Sequence, residues 1–191
     1  DEAHLIGSTN RGPTLELVIA SIKAIDTPPR IALLSATIGE PKRLQTWLAP
    51  CDLIIQSERH PPLINEVFSL EEGEDADTIV VDEIRAILKD PGSAVLVFVY
   101  QRNSCRKFSE LLDKALQDIC GSNAAEAYHS GMSASEKAEV RQRFSDGKTR
   151  CVVTTTALAL GVNLPATHVF LRDPTFHGVG RVETDTIFQV L

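Results

Sequence analysis

The sequence predicts an α/β fold in which parallel sheets are flanked by helices. Three observations carry this. Short apolar runs rich in β-branched residues alternate with segments of helical period. Several runs are apolar on both faces, LVFV at 96–99 and CVV at 151–153, as strands covered on both sides must be. Polar clusters follow the runs, where parallel sheets bind ligands.

In chain order, strands are expected at 31–34, 52–56, 94–100, 124–128, 151–154 and 168–171. Helices are expected at 14–25, 41–48, 76–89, 103–119, 135–144 and 183–189. Ser133 and Ser135 offer N-caps ahead of Glu136, Gly147 stops the helix that carries it, and Pro91-Gly92 closes the helix before 94–100. Around Arg59-His60-Pro61-Pro62 a proline pair separates two sets of elements. A domain boundary is expected near residue 60, with pieces 1–59 and 60–191. Trp47, on the short amphipathic helix 41–48, is read as a core residue.

The chain has 191 residues, 43% hydrophobic and 24% charged, which excludes collagen, coiled coil and disorder as its class. No apolar run approaches the ~20 residues that span a bilayer, and no basic-then-apolar leader opens the chain. The expectation is an intracellular, cytoplasmic, monomeric chain with no membrane partner. Cys51, Cys105, Cys120 and Cys151 are widely spaced and form no CxxC pair, so buried free thiols are expected rather than zinc or disulfides. The net charge of −7 comes from residues 71–83, which hold seven acids and no base. The rest balances, so a basic groove elsewhere is allowed, and the acidic run reads as a solvated loop and helix start.

The polar clusters are Asp1-Glu2-Ala3-His4, Ser35-Ala36-Thr37, Gln101-Arg102-Asn103, His129-Ser130-Gly131 and Thr154-Thr155-Thr156. Adjacent carboxylates such as Asp1 and Glu2 can divide the labour of phosphoryl transfer, one holding Mg²⁺ and the other polarising the attacking water.

DEAHLIG at 1–7, RGPTLE at 11–16 and LLSATIGEP at 33–41 resemble motifs II, Ib and III of superfamily-two DExH helicases, most closely the superkiller-like branch. VFVYQRNSCRKFSELL at 97–112 resembles motif IV, AYHSGM at 127–132 the element after it, and VVTTTALALGVNLPA at 152–166 motif V. ETDTIFQVL at 183–191 resembles the start of motif VI. The resemblance spans nearly the whole chain, in the family's order. It implies an enzyme that couples hydrolysis of ATP, with Mg²⁺, to translocation on a single strand of DNA or RNA and to duplex unwinding. It implies that 1–59 is the carboxyl-terminal part of a first RecA-like, ATP-binding domain and 60–191 a truncated second one.

By the same resemblance Asp1 would coordinate Mg²⁺ and Glu2 would be the general base, with His4, Ser35 and Thr37 linking the nucleotide site to the rest of the core. Gly161, Asn163 and Gln189 would face ATP. Arg11, Gly12, Arg102, His129, Thr154 and Thr155 would meet nucleic acid, without reading sequence at the phosphates. Two departures stand out. Gln101 replaces the small hydroxyl residue of the motif IV pattern, and no phosphate-binding GxxxxGKS or GxxxxGKT occurs. The expectation is a partial core that is inactive alone. Two other readings fit the same motifs: a non-catalytic RecA-like module that binds nucleic acid or a partner, and a translocase that remodels complexes without unwinding.

Overall fold

The computed structural model describes every residue except 1, 9–10, 36–37, 57, 59–61, 72, 156–163, 174, 177–179 and 182–191. The chain divides into two compact units, Asp1–Ile64 and Asn65–Leu191.

Unit 2 is built on a four-stranded parallel sheet. Its strands are β1 (Val95–Phe98), β2 (Ala125–Tyr128), β3 (Cys151–Thr154) and β4 (His168–Leu171), in the order β2-β3-β1-β4. Crossovers of this kind need a helix to span them. Three helices of the unit, α3 (Ala76–Leu88), α4 (Arg102–Cys120) and α5 (Ala134–Ser145), accompany the sheet. Local chemistry sets their ends. The Asp75 carboxylate caps α3 by accepting the amides of Asp77 and Thr78 at 3.4 and 3.2 Å. Ser133 and Glu136 close a reciprocal capping box on α5, at 3.2 and 2.7 Å. Gly147, at φ +70°, turns the chain after α5 in the left-handed region that glycine tolerates.

Two apolar layers follow from the period-two alternation of the strands. Val95, Val97, Cys151 and Val153 point to one face, where they pack with Ile84 and Leu88 of α3 and with Cys105, Phe108, Leu112 and Leu116 of α4. Leu96, Phe98, Val152 and Tyr128 point to the other, against Val140 and Phe144 of α5. Beyond β4, two-residue strands β5 (Thr175–Phe176) and β6 (Gly180–Arg181) pair antiparallel.

Unit 1 has a 3₁₀ turn (Ala3–Gly7), α1 (Gly12–Lys23) and α2 (Pro41–Leu48), and no strand among its described residues. The strands expected at 31–34 and 52–56 are not formed. The reason is that a strand is a property of pairing. Among the described residues the run 31–34 makes one bond of the required kind, from the Ala3 amide to the Leu34 carbonyl at 2.9 Å, which is not a ladder. Ile54 and Ile55 stand in solvent. Trp47 is likewise 41% exposed rather than in a core. Cys51 is exposed and Cys120 half-buried, so only Cys105 and Cys151 are the buried thiols expected of all four. The helix expected at 183–189 lies outside the described residues. No helix among the described residues is long and apolar enough to cross a membrane.

Candidate functional site

The pairing register brings the carboxyl ends of the strands of unit 2 level. Phe98 pairs with Thr154 and with Leu171, and Tyr128 with Thr154. The residues that follow β1, β2 and β3 therefore emerge from one edge of the sheet, where parallel sheets bind ligands.

Arg102 opens α4 after β1 and is exposed. The turn that delivers it is pinned from β4, because the Tyr100 amide donates to the Asp173 carboxylate at 2.8 Å. Arg172 holds that carboxylate at 2.8 Å, pairs with Asp77 at 2.5 Å and lies 4.9 Å over the Phe108 ring. One helical turn beyond Arg102, Arg106 donates through Nε to His129 Nε2 at 3.1 Å.

His129 follows β2 and is 2% exposed. Its other nitrogen, Nδ1, faces the Gly131 amide at 3.2 Å. Both ring nitrogens thus face N–H donors. A neutral imidazole accepts at one nitrogen only, so the tautomer decides which donor is taken, and a protonated ring could take neither. Burial, and then the positive charges of Arg106, Arg102 and Lys137, hold the His129 pKa below its ordinary value against the opposing pull of Glu136. The ring is neutral at pH 7. Gly131 packs closely here: a Cβ would lie 3.2 Å from His129 Nδ1, so the ring would have to give by a few tenths of an ångström. The cluster is a cationic rim of Arg102, Arg106 and Lys137 around a tight turn, with a buried neutral histidine as its pivot.

Thr154 ends β3, Thr155 follows it, and both are buried. The Thr154 hydroxyl donates to the Thr155 carbonyl at 3.1 Å. Cys105, beneath the rim, donates to the Val153 carbonyl at 2.9 Å. Burial pushes its thiol up to about 11, outside the range of a reactive thiolate at neutral pH.

In unit 1 the described residues bring Glu2, His4 and Ser35 together. His4 Nδ1 lies 3.2 Å from Ser35 Oγ and 3.2 Å from a Glu2 carboxylate oxygen. The His4 side chain is 9% exposed and that of Glu2 56%. Glu2 sits at φ 56°, ψ 43°, a left-handed conformation unusual for a residue with a Cβ. Gly12 is where α1 meets the 3₁₀ turn, and a Cβ there would come within 2.2 Å of the Ile6 carbonyl oxygen. Arg11 precedes it and is exposed. Asp1, Thr37, Gly161, Asn163 and Gln189 lie outside the described residues. Sequence reasoning missed Arg106, Arg172 and Asp173. The i, i+4 spacing of Arg102 and Arg106 on one helix was the available signal for the first; the other two act across the sheet and left none.

Residues 77–186, more than half of the chain, match the helicase conserved C-terminal domain. The chain belongs to that family. Around this helicase C-terminal domain the likeness extends over nearly the whole sequence. The chain is 31% identical over 201 residues to the ATP-dependent DNA helicase Hel308 of Thermoplasma volcanium, covering 93% of this chain and 30% of that protein. It is 26% identical over 245 residues to the probable ATP-dependent DNA helicase HFM1 of Homo sapiens, covering 100% of this chain and 17% of that protein. Among solved structures, the Mycobacterium smegmatis helicase Lhr bound to ssDNA and AMP-PNP superposes with a TM-score of 0.66 at 22% identity, covering 100% of this chain and 25% of that one. That last likeness concerns the fold. The helicase C-terminal domain chain spans less than a third of the length of these curated relatives.

Proposed function

We propose that the chain is part of an ATP-dependent helicase that moves along a single strand of DNA and opens duplexes, working as a monomer inside the cell. The single observation that carries this is the cationic rim at the level ends of β1 and β2: Arg102, Arg106 and the His129–Gly131 turn. Such a rim suits a phosphate backbone, and contacts of that kind fix position without reading sequence. DNA rather than RNA is the proposed substrate because the relatives above are named as DNA helicases. On this reading residues 1–59 belong to a first RecA-like domain and 60–191 to a second.

The donor set suits the nucleotide that such an enzyme uses. Carboxylate oxygens are the ligands Mg²⁺ prefers, and Asp1 would hold it. Glu2, exposed but tied to His4 at 3.2 Å, would accept the proton of the attacking water. His4 and Ser35, in contact at 3.2 Å, would pass the state of that edge to Thr37 and onward. Gly161, Asn163 and Gln189 would be further nucleotide contacts. When bound, ATP and Mg²⁺ supply the phosphoryl group and its charge neutralisation.

The test is single-strand binding by the 191-residue chain. Arg102→Ala should weaken binding about equally for all base sequences and reduce the salt slope by about 0.7, one released counterion. A loss confined to certain base sequences, or none, would overturn the assignment.

A further inference from the structure

We propose that the outer edge of β2 is a docking slot for an extended lysine- or arginine-rich segment of a partner protein, taken up as an added strand. The inference rests on unit 2 alone and is independent of the helicase reading.

β2 is an edge strand, paired on one side with β3. Its alternation shows which groups face outward. The Ala124 carbonyl accepts the amides of Arg150 and Cys151, so residue 124 faces β3, and its neighbours in the strand alternate. The Ala125 amide accordingly points away from β3, where the Asp113 carboxylate caps it at 3.2 Å. The Ala127 amide and the carbonyls of Ala125 and Ala127 point the same way, and no group among the described residues caps them. Asp113 therefore guards only the first position of the edge. The remaining donor and two acceptors are what a fifth strand would need.

That edge is the floor of a cleft of about 330 Å³, with α4 forming one wall and α5 the other. Four strand residues at ~3.3 Å each match an extended segment of about the same length. The walls determine the occupant. Glu110 and Asp113 line the α4 side, Glu136 and Glu139 the α5 side, and Glu126 the floor, against one guanidinium, Arg143. Arg143 is already engaged by Glu126 at 2.6 Å and by Glu139 at 3.6 Å, so five carboxylates face a single guanidinium. Successive side chains of an added strand point to opposite faces. A basic residue on either face then meets carboxylates, whereas an acidic peptide or a nucleic acid would be repelled from both. The cationic rim lies at the carboxyl end of the sheet and the acidic slot along the edge of β2, with Glu136 where the two adjoin.

The test uses the 191-residue chain and a capped peptide, Lys-Lys-Val-Lys-Lys. The peptide should shift the amide resonances of Ala125–Tyr128, and its counterpart with glutamate for lysine should not bind. Methylating alternate peptide nitrogens, which removes strand pairing and keeps the charge, should weaken binding about tenfold. Ala127→Pro, a change that edge strands tolerate, should do the same, and Glu110→Gln with Glu139→Gln should weaken binding and its salt dependence together. If Ala127→Pro does not fold, the methylated peptide on the unaltered chain decides. Equal binding of the methylated peptide, shifts that leave 125–128 unmoved, or a dimer of this chain closing the edge in sedimentation would each overturn the proposal.

Discussion

Units 1 and 2 contain equally apolar runs, yet only unit 2 turns them into a core. The run IALL at 31–34 is as hydrophobic as CVVT at 151–154. β3 lies between β2 and β1 and is buried along its whole length. Leu34 is 63% exposed and its run shares one backbone bond with Ala3. Among the described residues of unit 1 only Ala3, Gly12 and Ile19 are buried. The difference teaches that hydrophobicity nominates a strand, while neighbours on both edges and cover on both faces make one.

The largest test of this contrast separates the units. Residues 65–191 alone should unfold in one cooperative transition in denaturant, and 1–64 alone should show none, with little amide protection over 31–34. Strong protection there in a monomeric 1–64 would break the comparison.

A second test compares leucines. Leu112 is fully buried under the sheet and Leu17 is 68% exposed on α1. Leu112→Ala should cost about 2–5 kcal/mol through lost contacts and the cavity left behind. Leu17→Ala should stay within about 0.5 kcal/mol, as surface substitutions do. Equilibrium denaturation of both variants checks the pair.

A third concerns the ion pair at the slot of unit 2. Burial raises the Glu126 pKa, but hydrogen bonds from Arg143 and Thr149 outweigh burial and hold the carboxyl below its ordinary value. A depressed carboxylate contributes stability above its unfolded-state value and loses it as pH falls through the folded-state one. Glu126→Gln should therefore cost about 1–2 kcal/mol at pH 7. The difference from the unaltered chain should shrink as pH falls below 4.5, the ordinary glutamate value. Denaturation midpoints across that range are the measurement, and a gap that widens toward acid would contradict the assignment.

The smallest expected effect on the whole chain is Gly12→Ala. The added Cβ collides with the Ile6 carbonyl and should loosen α1 from the 3₁₀ turn. Hydrogen exchange in α1 should speed up while the midpoint of unit 2 is unchanged. A fall in that midpoint would mean the two units fold together.

Helix α2 was legible to the residue, because Pro41 marks its first turn and that signal is local. Of the four strands in the parallel sheet of unit 2, VLVF and CVVT were legible as buried runs rich in β-branched residues, whereas AEAY was legible from its place between two helical segments. Arg102 was legible as part of a motif. Its support was not: Arg172 and Asp173 lie some seventy residues away and reach the Tyr100 turn only because β4 pairs with β1. The burial of His129 between two donors was equally hidden, since no pattern in AYHSGM states which way the ring turns.

By itself the sequence determined the alternation of strands and helices, the caps that bound them, and the polar residues placed after each strand, all of which depend on residues within a few positions of one another. The tertiary structure alone decided the order β2-β3-β1-β4, the level strand ends that gather Arg102, Arg106 and His129, and the open edge of β2 between acidic walls. The physical reason is that strand order and register come from pairing and packing between segments far apart in the chain, and those energies have no local signature.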